Sequence, residues 1–403
     1  MNIVHIQTGM SLAGNAAYRL HKAMLKVGIN SSVLICMPTI SREKVYTIDK
    51  NIVYYIRKVA NYLLRKVFDN SSKKLLPGSY FYSSLPLISK NIAKNKFIQK
   101  ADVIYIHSIN GGFLGLKDFE ELAQTGKKII FFMHDMWTFT GGCHHSFDCI
   151  QYQTGCSSCP MFNNKMRYSS KQNAQKEKLF NKYPNLIFIS PSRWMYDCAL
   201  KSTILAKKEV FVIPNVVDES VFKPLETKVA KEILNLPLDK KIITFGCQAG
   251  TKNKFKGWDY LKDAINSLNE EDLELLIYGS DYNQETENEL KYPVHFLGTI
   301  TEEIVLSLIC NATDVFVSPS LAESFGLTLL ENTLCGTPIV AFDCTAIPEM
   351  VKMNPHGFLA RYKDSESLAN CIRKALTVEK TKSFLDYSSE GIVNKHLELL
   401  NKI

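Results

Sequence analysis

Residues 315–349 read VFVSPSLAESFGLTLLENTLCGTPIVAFDCTAIPE. The run 314–318 is short, apolar and rich in β-branched and aromatic residues, as a strand buried on both faces should be. A loop over 319–324 carries Glu323, a helical pattern covers 325–335, and a second apolar strand follows over 338–342. Strand, loop, helix and strand in this order make a βαβ unit and a parallel sheet. In such sheets ligands sit beyond the carboxyl ends of the strands. A helix N-terminus there offers unpaired N–H groups and the positive end of a dipole, which suits a phosphate. Gly326 leaves room for a phosphate close to the backbone. Glu331 lies eight residues beyond Glu323. If both were helical they would stand ~12 Å apart along the axis, on much the same face. They cannot then act on one atom. One can address a sugar and the other a ribose, with a diphosphate between.

The same alternation runs outward in both directions. Residues 3–6, 32–36, 103–106, 129–133, 186–189 and 210–213 read as buried strands, with helical patterns such as 16–27 and 114–124 between them. The pattern restarts with strands over 241–246, 273–278 and 294–297, and helices over 258–268, 302–310 and 365–377. The fold class is therefore α/β, with two doubly wound Rossmann-like domains. Domain boundaries are expected at 1–215 and 216–385, with a last helix over 386–403 packing back toward the N-terminal domain.

The chain has 403 residues, 46% hydrophobic and 22% charged, which excludes wholesale disorder. No apolar run reaches ~18 residues, so no spanning helix is expected. The N-terminus reads as a strand and lacks a basic leader, so no secretory signal is expected. Residues 1–200 hold 26 Lys+Arg against 11 Asp+Glu, a net +15, while residues 201–403 hold 22 against 29, a net −7. The basic half favours a polyanion or an anionic membrane surface. Within it, residues 51–68 read NIVYYIRKVANYLLRKVF. Aromatics at helical spacing beside paired bases suit either a helix in a membrane interface or an amphipathic helix packed on its own domain. No nucleic-acid recognition motif accompanies the charge, so no nucleic acid is expected.

Glu323 and Glu331 also form an E-x7-E pair. With Phe296-Leu297-Gly298, Glu323-Ser324-Phe325-Gly326, Cys335-Gly336-Thr337-Pro338, Ile347-Pro348-Glu349 and the upstream Ile213-Pro214-Asn215, it resembles the retaining GT-B glycosyltransferases of family 4. The block 14–23, GNAAYRLHKA, looks like the polysaccharide-assembly (colanic-acid and capsule type) branch. The resemblance implies two domains facing a central cleft. It gives Glu323 the donor sugar and the reacting carbon, and Glu331 the ribose. It gives the backbone around Ser324, Phe325, Gly326 and Leu327 the diphosphate. Lys256, in a Lys-Gly step, would neutralise the leaving diphosphate, the charge that must be stabilised when no metal is present. Gly14 and Asn15 stand in a stretch that resembles the family's first glycine-rich loop, at the interdomain cleft, and are expected to bind the donor. The sequence departs from the pattern at Cys247-Gln248, where an Arg is common, and at Thr345-Ala346, where Gly-Gly is common. Lys252 or Lys254 could substitute for the Arg, as point charges rather than forks.

On the acceptor side, His134 ends a buried strand, and the resemblance places it opposite the donor sugar as a second catalytic residue. An imidazole there can hydrogen-bond the sugar and organise proton movement, while Asp135 orients the loop or that imidazole. Cys143, Cys149, Cys156 and Cys159 follow at C-x5-C-x6-C-x2-C. Four cysteines within 17 residues suit a closed structural zinc. Reduced thiols and disulfides stay open.

The expectation is a cytoplasmic enzyme, peripheral on the inner face of the cytoplasmic membrane. It would move a hexosyl group from a UDP- or GDP-sugar to a polyprenyl-linked glycan, without a catalytic metal. A GT-B epimerase, or a silent sugar-nucleotide-binding scaffold, is the alternative.

Overall fold

The structure, a computed structural model, describes the chain except for residues 10–13, 38–40, 49–54, 57–58, 61–62, 64–90, 110–112, 161–166, 247–250, 252 and 382–386. Most of the basic 51–68 stretch therefore lies outside the described residues. Two compact units are present. The first comprises Met1–Ser11, Leu20–Pro214 and Lys395–Ile403, and the second Leu12–Arg19 and Asn215–Asn394.

Seven strands build the first unit: β1 (Asn2–Gln7), β2 (Asn30–Ile35), β3 (Val45–Thr47), β4 (Val103–Ile106), β5 (Lys128–Phe132), β6 (Leu186–Ser190) and β7 (Val210–Val212). They run in parallel in the order β3-β2-β1-β4-β5-β6-β7. Chain order reverses between β1 and β4, which makes that junction the topological switch point where such sheets open a crevice. The short edge strand β3 was not expected, since three residues of which two are exposed leave no apolar signal.

The second unit repeats the plan with β8 (Lys241–Gly246), β9 (Leu273–Tyr278), β10 (Val294–Phe296), β11 (Val315–Ser318), β12 (Ile339–Phe342) and β13 (Gly357–Ala360), ordered β10-β9-β8-β11-β12-β13. Its switch point lies between β8 and β11. Alternation along each strand sends side chains to opposite faces. Ile242, Phe316, Ile339 and Ala341 enter one apolar cluster, and Ile243, Val315, Val317, Val340 and Phe342 enter the other. Burial on both faces explains why these strands read as continuous apolar runs. Both units are thus parallel-sheet, Rossmann-like α/β domains, as the sequence implies. Among the described residues, no helix is long and apolar enough to cross a membrane.

Candidate functional site

In the second unit the loop after β11 meets the turn before the helix Trp258–Asn266, beside the switch point. Gly257 makes this possible. Its φ is 68°, and a Cβ there would stand 2.0 Å from the Pro319 carbonyl oxygen. The two loops touch backbone to backbone, with the Leu321 N–H donating to the Phe255 carbonyl at 2.8 Å. This approach brings Lys256 Nζ to 2.5 Å from Glu323 Oε1. Both side chains remain partly open to solvent. The Glu323 N–H donates to Thr345 Oγ1 at 2.9 Å, and the Glu323 carbonyl accepts from the Ala346 N–H.

Three residues further on, Gly326 caps the helix Leu327–Leu334 at φ 95°, a left-handed conformation that glycine adopts without penalty. Phe325 is buried and Leu327 packs on the same core cluster, so what these two residues offer a ligand is backbone. Ser324 stands between them and Glu323. The turn therefore sets a cation, a carboxylate and a helix N-terminus side by side at the carboxyl end of β11.

Glu331 is different. It is 2% exposed and its Oε1 lies 2.7 Å from Arg19 Nη1, while Arg19 Nε donates to Glu303 Oε1 at 2.5 Å. Glu331 Oε2 has no hydrogen-bond partner. Burial raises the Glu331 carboxyl pKa against the opposing pull of Arg19. Burial opposes the charge on Arg19 too, but Glu331 and Glu303 together outweigh it and raise its pKa. Gly14 lies against this pair, since a Cβ there would meet Glu331 Oε1 at 3.3 Å. Asn15 caps the helix Ala16–Lys26, its Oδ1 accepting from the Tyr18 N–H at 3.0 Å.

In the first unit His134 follows β5 and lies partly open beside the cavity lined by His107, Ser108, Asp135 and Thr138. Burial lowers its pKa to about 4, against the raising effect of Asp135, so the imidazole is neutral near pH 7. Asp135 does not orient it by a hydrogen bond. Asp135 Oδ1 accepts from the Trp137 N–H at 2.8 Å and Oδ2 pairs with His144 Nδ1. Of the two roles expected for Asp135, the structure gives it the loop. His134 Nε2 instead meets His107 Nδ1 at 2.7 Å.

The zinc expectation falls on four cysteines that the structure brings to one place. Cys143, Cys149, Cys156 and Cys159 do line one small cavity, with Tyr152 and Ser169. Among the described residues, however, no group of three or more His, Cys, Asp or Glu is arranged to hold a metal ion. The four are free thiols. Desolvation holds the Cys143 pKa well above the usual thiol value, raises that of Cys149 and pushes Cys156 up to about 11. The Cys156 sulfur accepts the Gly141 N–H at 3.2 Å.

Comparison with known proteins bears on the second unit first. Residues 240–377 match the family described as glycosyl transferases group 1. That span holds Lys256, Glu323, Gly326 and Glu331. The chain is a glycosyltransferase. It is similar to an uncharacterized 41.2 kDa protein in the cps region of Klebsiella pneumoniae, 25% identical over 91% of this chain and 88% of that one. It is also similar to the N,N'-diacetylbacillosaminyl-diphospho-undecaprenol alpha-1,3-N-acetylgalactosaminyltransferase of Campylobacter jejuni, 27% identical over 54% of this chain and 60% of that protein. Among solved structures, Anabaena HepE in complex with UDP and glucose aligns over the full length of both chains, with a TM-score of 0.62 at 17% identity. Sucrose-phosphate synthase from Thermosynechococcus elongatus aligns over 100% of this chain and 99% of its own, with a TM-score of 0.64 at 16% identity.

Three residues of this glycosyltransferase stand in the candidate sites without having been assigned a role from sequence. Arg19 was visible only as part of a motif block; its partner Glu303 lies 284 residues away. Thr345 occupies a position where the related pattern has glycine. It keeps the left-handed backbone, at φ 51°, and adds a hydroxyl that holds Glu323. His107 ends β4 as His134 ends β5, and the strand-end position was the available signal. Lys252 lies outside the described residues, and Lys254 opens the one-turn helix that carries Lys256.

Proposed function

We propose that this glycosyltransferase moves a sugar from a nucleoside-diphosphate donor to a lipid-linked oligosaccharide, with retention at the anomeric carbon, during assembly of a bacterial surface polysaccharide. The observation that carries the reading is the Lys256–Glu323 pair beside the N-terminus of Leu327–Leu334, at the switch point of the second sheet. A nucleoside diphosphate gains negative charge as its glycosidic bond breaks. Lys256 and the N–H groups following Gly326 supply positive charge where that charge develops. The hydroxyl oxygen of the acceptor bonds to the anomeric carbon on the face the diphosphate leaves. The carbon–oxygen bond to phosphate breaks, and the freed phosphate oxygen takes the hydroxyl proton. Glu323 holds the sugar near the reacting carbon, and Glu331, with its free Oε2, is the ribose carboxylate. His134 organises the acceptor side. No metal ion takes part in this scheme.

The relatives support the acceptor class. One belongs to a cps region, and another is named for a diphospho-undecaprenol substrate. Both are consistent with a polyprenyl-linked glycan and with surface polysaccharide such as capsule. The net +15 of residues 1–200 supports a peripheral position on an anionic cytoplasmic membrane face. The HepE complexes make UDP the first nucleotide to try, with GDP as the comparison. Thermal unfolding tests the donor: at a hundred times its Kd, a nucleotide stabilises by about 2.7 kcal/mol. We expect UDP or GDP to raise Tm in wild type and much less in Lys256→Met, in buffer containing a chelator. No shift with either nucleotide, or one that requires a divalent cation, overturns the scheme.

A further inference from the structure

The first unit holds a row of imidazoles of which the scheme above uses only the last. His5 is on β1, His107 follows β4 and His134 follows β5. In the strand pairing His5 lies opposite Tyr105, and Ile106 lies opposite Phe131. Each histidine therefore stands two residues nearer the carboxyl edge than the position opposite the one before. A step of two keeps the same face of a sheet. The result is a staircase rising across the switch point. His5 Nδ1 lies 2.8 Å from His107 Nε2, and His107 Nδ1 lies 2.7 Å from His134 Nε2. Successive ring centroids are 5.1 and 5.0 Å apart, with the planes 28° and 22° from parallel.

Two hydrogen bonds among three imidazoles leave two arrangements. A neutral imidazole has one N–H and one lone pair. If His5 donates to His107, the single proton of His107 is on Nδ1 and must be donated to His134. The reverse order is the other choice. Any mixture sets two lone pairs or two protons against each other. The rings are neutral near pH 7. Burial holds His107 and His5 well below the usual value, with further lowering from neighbouring histidines, and His134 lies at about 4. The groups facing the row are Tyr105, His21, His396 and Asp135.

The inner end decides between the two. His5 Nε2 is buried with no hydrogen-bond partner. Orphaned buried N–H groups are rarer than under-satisfied acceptors, so the proton belongs on Nδ1 of His5. The order then propagates outward.

We propose that His107 and His5 are positioning residues that fix the tautomer of His134, which accepts at Nε2 and carries its own proton on Nδ1. Its importance for transfer rests on the acceptor-side role given to His134 above. With Nε2 engaged as an acceptor, His134 can take a proton there only if the whole row reverses.

The test is the nitrogen spectrum of the histidine rings in the full chain, labelled with 15N at histidine, near neutral pH and without substrate. We expect His134 to show a pyrrole-type Nδ1 and a pyridine-type Nε2. In His107→Phe, which keeps an aromatic ring but cannot donate, we expect the Nδ1–H form of His134 to fall several-fold. A wild-type His134 protonated on Nε2 overturns the proposal, as does a His107→Phe spectrum in which His134 is unchanged. Should that variant not fold, the wild-type tautomer alone decides. Because no substrate is present, the outcome is separate from catalysis: wild-type transfer by His134→Ala would remove the role of His134 and leave the tautomer result standing.

Discussion

Lys256 Nζ and Glu323 Oε1 are 2.5 Å apart. The two groups proposed for opposite ends of the donor, its diphosphate and its sugar, therefore neutralise each other. In the proposed scheme a diphosphate would compete for Lys256 and release the carboxylate for the sugar. The pair is partly exposed, and such pairs contribute ~0–1 kcal/mol to stability. We expect Glu323→Gln to leave the denaturation midpoint close to wild type. Transfer should nevertheless fall on the order of 100-fold or more, the scale seen when one stabilising group is removed from a reacting centre. A steady-state assay beside a denaturant curve checks this, and equal losses in both would mean the pair is structural.

Arg19 and Glu331 should behave in the opposite way. Both are 2% exposed, and breaking a buried pair by removing one partner costs about 3–5 kcal/mol. Glu331→Ala therefore loses stability as well as the ribose contact, and reduced activity in that variant alone proves little. The informative experiment is a double-mutant cycle of Arg19→Met and Glu331→Leu. Each single variant should be clearly destabilised. The double variant should recover part of the loss, because neither fully buried charge remains and only the partly buried Glu303 loses its Arg19 contact, yet it should not regain nucleotide binding. Additive losses in urea denaturation would show that the two side chains do not share one network.

The buried histidines give a pH dependence with a definite sign. His5, His107, His134 and His396 all have pKa values lowered by burial, His134 to about 4 and His396 to about 3. Below the ordinary histidine value near 6.5 the unfolded chain binds protons that the folded chain refuses. Stability should therefore fall as pH drops from about 6.5 toward 4. His396→Phe removes one of these groups, together with its contact to the Tyr105 hydroxyl at 3.1 Å. The variant should show a shallower fall over that window. Denaturation midpoints at pH 7, 6 and 5 decide it, and an unchanged slope would place the acid sensitivity elsewhere.

Much of this was readable from the amino-acid order, and the exceptions have physical causes. β8 and β9 were placed at their observed bounds because burial on both faces erases polar alternation. The 15-residue helix Tyr168–Lys182 was missed because the side it buries includes Ser169, Gln172, Asn173 and Lys176 beside Leu179 and Phe180. A polar side chain that finds partners inside leaves no hydrophobic period. Lys176 shows how this happens: its ammonium donates to the carbonyls of Trp137 and Thr140 and stands 3.5 Å from the centroid of the Trp137 ring. The stretch from Glu323 to Gly326 stood out because a charge, a glycine and a strand end coincide in a short span, whereas Lys256 was carried by the family resemblance alone. The histidine row was not legible, since it joins residues that only the sheet order brings together, and neither was Arg19–Glu303, a contact between helices 284 residues apart in sequence. The four cysteines come together around one cavity, and among the described residues no group is arranged there to hold a metal ion.

Thr345 is the last test, because it separates conformation from contact at the Glu323 loop. A β-branched residue at φ 51° bears a backbone penalty of roughly 1–2 kcal/mol. What opposes that penalty is the hydroxyl, which accepts the Glu323 N–H at 2.9 Å, a bond of about 1 kcal/mol net. Thr345→Gly removes both, so its stability should change little. Thr345→Val keeps the strain and deletes the acceptor, and should lose roughly 1–3 kcal/mol if the Glu323 N–H is left unpaired. Thr345→Ser keeps the bond and should stay near wild type. If the hydroxyl aims the Glu323 carboxylate through its backbone, transfer should rank Ser above Gly and Gly above Val. If only the left-handed backbone matters, Gly should equal or exceed wild type and Ser should show no advantage over it. Measuring kcat and KM for the three variants with one donor, alongside their denaturation midpoints, distinguishes the two rankings.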